Sequence, residues 1–155
     1  MGKIQYAIVI LLIAAMATTY SKNLKGYRLV GALSFSPPLD TIPDGTCLDL
    51  QLKYDTASRG KKKRIARQII HGDAISAKMY AVKLPDKDLR VVNEPEYTEY
   101  FLQVVLNLGW CQEEGSRDWF HNGDYLKIRT AVYFTDCNKK AKVCKGPIID
   151  ITKQY

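Results

Sequence analysis

Beyond residue 22, apolar and polar residues alternate with a period of two along most of the chain. This is the pattern of strands that show one face to a core and the other to water. Tyr27, Leu29, Gly31, Leu33 and Phe35 form one row, which stops at Pro37 and Pro38. After the turn material Ile42, Pro43, Asp44 and Gly45, residues 47–54 alternate most cleanly, with Asp49, Gln51 and Lys53 on the outward side. Residues 64–70, ended by His71, Gly72 and Asp73, read as the partner strand of a hairpin with a positively charged tip. Tyr80, Val82 and Leu84 mark a fourth strand within residues 74–84, where Ala77, Lys78 and Met79 also suit a helix.

Residues 84–97, rich in charge and holding Pro85 and Pro95, read as a long exposed loop that crosses between sheets. Residues 100–110 are apolar on both faces, with Tyr100, Leu102, Val104 and Leu106 on one and Phe101 and Val105 on the other, so a central strand is expected. A polar link over 112–118 and an Asn122-Gly123 turn lead to a sixth strand over 125–134, with Leu126, Ile128, Thr130, Val132 and Phe134 inward. A short last strand over 147–151 completes about seven. Without amphipathic helices to serve as crossovers, the class is all-β, an antiparallel β-sandwich of immunoglobulin-like or transthyretin-like form.

The N-terminus departs from this alternation. Lys3 precedes an unbroken apolar run over residues 7–17, followed by small and polar residues, the order of a signal peptide. The run is well short of the roughly twenty residues that cross a bilayer as a helix, so no membrane span is expected. Cleavage fits after Ala17 or after Ser21. With the later cut preferred, residues 1–21 form a cleaved signal helix and 22–155 a single secreted, extracellular domain.

Export changes how the cysteines read. Cys47, Cys111, Cys137 and Cys144 are even in number and suit two disulfides in an oxidising compartment. Of the three possible pairings, the short polar loop between Cys137 and Cys144 favours a local bridge, which leaves Cys47 with Cys111. No CxxC pair occurs and neither His71 nor His121 lies at finger spacing from a cysteine, so no metal and no cofactor is expected.

A formal charge of +7 makes the protein attractive to polyanions. Lys61, Lys62, Lys63, Arg64 and Arg67 form the densest cluster, in the basic, spacer, basic order of heparin-binding segments. Such clusters act by summing weak ion contacts and releasing counterions. The same lysines also suit a solvated tip or a protected edge strand. Residues 61–64 have dibasic convertase form as well, although a cut there would sever the hairpin. Lys139, Lys140 and Lys142 form a second patch, which a bridge between Cys137 and Cys144 would hold on a constrained loop.

The export signal and the lack of a binding motif argue against nucleic acid, so no nucleic-acid partner is expected. Acidic polysaccharide or acidic matrix components fit the compartment better. His71 and His121 each precede a turn carboxylate, Asp73 and Asp124, but no serine elbow or H-E-x-x-H helix accompanies them, so the expectation is no enzyme. Trp110, Trp119, Phe120 and Tyr125 offer either a sugar platform or core packing, with packing favoured. In composition and class the chain resembles small invertebrate extracellular-matrix proteins and secreted sandwich modules, without a motif that assigns a residue role. The expected function is a secreted, non-enzymatic binding or structural protein of matrix type. The competing class is a secreted signal or inhibitor that acts through a protein-protein surface. Oligomeric state is not legible.

Overall fold

A computed structural model describes residues 20–56, 61–91 and 100–155. In chain order the strands are β1 (Tyr20–Asn23), β2 (Arg28–Ser36), β3 (Cys47–Thr56), β4 (Lys61–His71), β5 (Met79–Lys83) and β6 (Asp88–Val91). They continue with β7 (Tyr100–Asn107), β8 (Tyr125–Val132), β9 (Cys137–Asn138), β10 (Val143–Lys145) and β11 (Ile149–Lys153). The hydrogen-bonded order is β4-β3-β7-β8-β11-β2-β10-β9, with β5 also on β2 and with β1 and β6 forming a separate pair.

Alternation builds the core directly. Leu48, Leu50 and Leu52 of β3 meet Leu102, Val104 and Leu106 of β7 in register, all of them buried. Leu29, Leu33 and Phe35 of β2 and Ile149 and Ile151 of β11 complete the same apolar cluster. The ladder curls until β4 lies beside β5, where the Ala81 N–H donates to Gln68 Oε1 at 2.9 Å. Two bulges add to the twist that closes the sheet on itself. One inserts Ile65 into β4 opposite Leu52 and Lys53, and the other lies in β8 between Lys127 and Thr130.

The all-β class holds, with several corrections. The strands form one curled mixed sheet and a small two-stranded sheet, where an antiparallel sandwich of immunoglobulin-like or transthyretin-like form was expected. β11 and β10 both run parallel to β2. No helical crossover is needed, because the many strands between β2 and its parallel neighbours form the connection themselves. The stretch 84–97 contains β6, whose Leu89 is in the core, while residues 92–99 lie outside the described residues. Part of the expected fourth strand is a 3₁₀ turn, Gly72–Ala77, ahead of β5. Ile128 is 55% exposed and not inward, since the bulge in β8 shifts its row to the other face. Of the expected leader, residues 1–19 lie outside the described residues, and Tyr20 and Ser21 already belong to β1.

Gly31 is the gap in the inward row of β2, and its cross-strand partner Tyr80 fills it. The Tyr80 hydroxyl donates to the Pro147 carbonyl at 2.7 Å, and burial pushes this phenol's pKa well above its ordinary value. A Cβ at Gly31 would clash with the Tyr80 hydroxyl and lie 2.7 Å from the Pro147 carbonyl, and one at Gly146 would meet the same hydroxyl. Gly31→Ala is therefore expected to destabilise by about 1–3 kcal/mol through overpacking, seen as a lower urea midpoint at unchanged m. Tyr80→Phe, which loses only the hydroxyl, should cost about 1 kcal/mol. The slot is not tight if Gly31→Ala costs no more than Tyr80→Phe.

Candidate functional site

The outward face of the β3–β4 hairpin is polar by pattern, and the β4 bulge makes it cationic. Directly paired residues share a face, so the register sets Gln51 beside Arg67, Lys53 beside Arg64 and Asp55 beside Lys62. In an unbroken strand, Arg64 would share its face with Ala66 and Gln68. The inserted Ile65 brings Arg67 into the row of Lys62 and Arg64 instead. Lys63 belongs to the opposite row, that of Tyr54, and Lys61 is placed by its backbone alone.

A loop over residues 108–124 covers part of this face, and Asp124 anchors it. Buried at 3% exposure, its carboxylate accepts from Asn107 Nδ2 (3.1 Å), Leu108 N–H (2.8 Å), Trp110 Nε1 (3.1 Å) and His121 N–H (2.8 Å). The Trp110 and His121 rings stack at 4.1 Å. The Gly109 N–H donates to Thr46 Oγ1 at 2.9 Å, and the Cys47–Cys111 disulfide ties the loop to the first residue of β3. Between this loop and the strands lies a groove of about 500 Å³, lined by Lys53, Lys62, Arg64 and Arg67 with Glu114 and Trp119 opposite.

The cations are not equally available. Arg67 is locked to the buried Asp49, donating from Nε and Nη2 at 2.9 Å each, and this hydrogen bond raises the Arg67 pKa. Asp49 also accepts from Gln51 Nε2 at 3.0 Å and from Gln112 Nε2. Arg64 Nη2 reaches Glu114 at 2.5 Å, and Arg67 Nη1 lies 3.7 Å from the same oxygen. The hydrogen bond from Arg64 holds the Glu114 carboxyl below its ordinary pKa. The pair therefore persists at neutral pH and is lost as pH falls through that depressed value. Burial, with Lys62 and Arg64 nearby, lowers the Lys53 pKa against the opposing pull of Asp49, and its ammonium donates to Gln103 Oε1 at 2.6 Å. Lys62 lies over the Phe101 ring at 5.7 Å, with Arg129 over the same ring at 4.3 Å. These cations cover Phe101, an apolar residue fully buried on the outward face.

The structure thus brings Lys62, Arg64 and Arg67 together and leaves Lys139, Lys140 and Lys142 apart. Those three lie exposed on the turn between β9 and β10, at the opposite end of the strand order from β4. The disulfides are Cys47–Cys111 and Cys137–Cys144, the pairing the spacing favours. Lys53, Gln103 and Glu114 were not expected at the site, and of these only Lys53 had a visible signal, as part of the outward polar row of β3. Trp119, for which core packing was favoured over a sugar platform, is only partly buried and lines the groove.

His71 Nδ1 lies 3.2 Å from Cys47 Sγ and 3.8 Å from Cys111 Sγ, a cluster with the donor set of a soft-metal centre. Metal ligation needs thiolates, and in the disulfide both sulfurs are bonded to each other. Near His121, Asp124 is engaged by the backbone N–H rather than by the ring. A second cleft, of about 620 Å³, carries Asp40, Asp73 and Lys78 and so lacks a cationic excess. Among the described residues, no helix is long and apolar enough to cross a membrane. Compared with protein families, curated proteins and solved structures, the chain matches none.

Proposed function

We propose that this is a secreted, non-enzymatic extracellular binding or structural protein that holds acidic polysaccharide or acidic matrix components on the outward face of β3 and β4. The observation that carries this reading is the convergence of Lys53, Lys62, Arg64 and Arg67 on one groove. Two disulfides, and a net charge of +7 for the whole chain that falls by one when Lys3 leaves with the leader, suit an oxidising compartment rich in polyanions. On this reading the leader is an export signal, and β1 supports the earlier of its two cleavage points. Tyr20 and Ser21 pair with Val91 and Arg90, so cleavage after Ala17 keeps β1 whole while cleavage after Ser21 removes half of its ladder. The mature chain then begins at Thr18, as N-terminal sequencing of exported protein would read.

Retention on a heparin column is the direct test. Lys62→Ala with Arg64→Ala is expected to lower the eluting salt and to reduce the slope of log K against log salt by about two units, roughly one per lost ion contact. Arg67 is left intact because its removal would strand the buried Asp49 charge. Lys63→Ala, on the other row, should change elution less than Lys62→Ala. If the double variant elutes with the parent protein, the groove is not the polyanion site.

A further inference from the structure

We propose that the groove takes the carboxylate of a uronic-acid unit, and that Glu114 is an internal competitor holding the ligand's place between Arg64 and Arg67. This deepens the polyanion reading and rests on it. Glu114 presents one carboxylate oxygen to both guanidinium groups, at 2.5 Å from Arg64 Nη2 and 3.7 Å from Arg67 Nη1. Its side chain is 69% exposed, so it guards the position from the solvent side. Ion pairs this exposed are screened by solvent and hold weakly, so an incoming carboxylate displaces this one at little cost. Arg67 does not move when Glu114 leaves, because Asp49 fixes its Nε and Nη2 from behind. One guanidinium is therefore pre-organised for the ligand, which lowers the ordering cost of binding.

The surroundings favour a sugar over a bare ion. Beside the cations, Val105, Ile128 and Trp119 give the groove apolar surface. Side-chain amides of Gln51 and Gln103 line it as well, groups that can both donate and accept. A saccharide ring has a C–H face for the first set and hydroxyls for the second. The volume of about 500 Å³ falls in the range of about 300–1,000 Å³ typical of small-ligand clefts. A planar carboxylate matches the arginine fork, and the group that now occupies the position is itself a carboxylate.

The test titrates the folded, disulfide-bonded protein with two probes, following tryptophan fluorescence and calorimetric heat. One probe is an unsulfated uronic-acid oligosaccharide, and the other is a sulfated oligosaccharide of neutral sugars. Glu114→Gln is expected to tighten uronate binding by up to about fivefold. Glu113→Gln removes the same charge from the same groove, yet no ion pair joins Glu113 to Arg64 or Arg67 among the described residues, so it should give a smaller gain. Equal gains from the two variants would reduce Glu114 to background charge and overturn the competitor. Uronate binding that is unchanged or weakened by Glu114→Gln would overturn it too, with the polyanion site left standing. Binding of the sulfated probe alone overturns the uronate assignment. Failure of the parent protein to bind either probe removes the polyanion reading itself, and the competitor with it.

Discussion

Asp124→Ala is expected to destabilise the protein by about 3–5 kcal/mol and to loosen the outer wall of the groove. The carboxylate is the common acceptor for four donors, two of them loop backbone N–H groups and one the Trp110 indole. Each buried donor left without a partner costs about 1–3 kcal/mol. Asn107 Nδ2 keeps a second acceptor, the Trp119 carbonyl at 3.0 Å, so it loses less than Leu108 N–H and Trp110 Nε1. The Leu108 N–H and Trp110 Nε1 lose their acceptor outright, Asn107 loses one of two, and the exposed His121 can turn its N–H to water, which together set the estimate. Asp124→Asn preserves shape but turns an amide donor toward other donors, so it should lie between Ala and the parent. Urea unfolding gives the stability, and uronate titration of the folded variant gives the coupling to the site. A loss below about 1 kcal/mol would show that the loop is held by the Thr46 and Cys111 attachments alone.

The parts of this fold that sequence pattern reveals are those whose periodicity is long and unbroken. β3 keeps strict alternation from Cys47 to Tyr54, and β7 is apolar on both faces because its Leu102, Val104 and Leu106 enter the core while Phe101, on the other face, is covered by Lys62 and Arg129. Bulges leave no comparable mark. Nothing in residues 64–70 signals that Ile65 is the inserted residue, yet that insertion decides that Arg67 joins Arg64 on the groove. The bulge in β8 likewise turns Ile128 outward against a regular-looking pattern. β1, β6, β9 and β10 are too short for a period to register, and the parallel pairing of β11 with β2 depends on burial between distant segments. The basic run is plain in the sequence, but its neutralising partners are not. Asp49 pairs with Arg67 across the hairpin, and Glu114 reaches Arg64 from 50 residues away. Composition therefore overstates the free charge at the site, since two of the groove's cations already carry counter-charges.

Removing the Cys47–Cys111 bridge should cost more than removing Cys137–Cys144, and only the first should also weaken binding in the groove. In the chain-entropy account, a crosslink stabilises in proportion to the logarithm of the loop it closes. A separation of 64 residues corresponds to about 4 kcal/mol and a separation of 7 to about 2 kcal/mol. Cys47 is buried at the start of β3 and Cys111 lies in the loop that carries Gln112, Glu114 and Trp119, so the long bridge also fixes the wall of the site. The Cys137–Cys144 bridge instead pairs β9 with β10, whose turn presents Lys139, Lys140 and Lys142 away from the groove. Each pair is replaced by alanines and the two variants are compared by urea unfolding and by uronate titration. The long-bridge variant should unfold at the lower urea concentration and bind more weakly, while the short-bridge variant binds as the parent does. A reversed order of stability would mean that the β9–β10 hairpin, and not the junction of β3 with the 108–124 loop, limits the fold. Unaltered binding without the long bridge would show that Asp124 and Thr46 suffice to hold the groove.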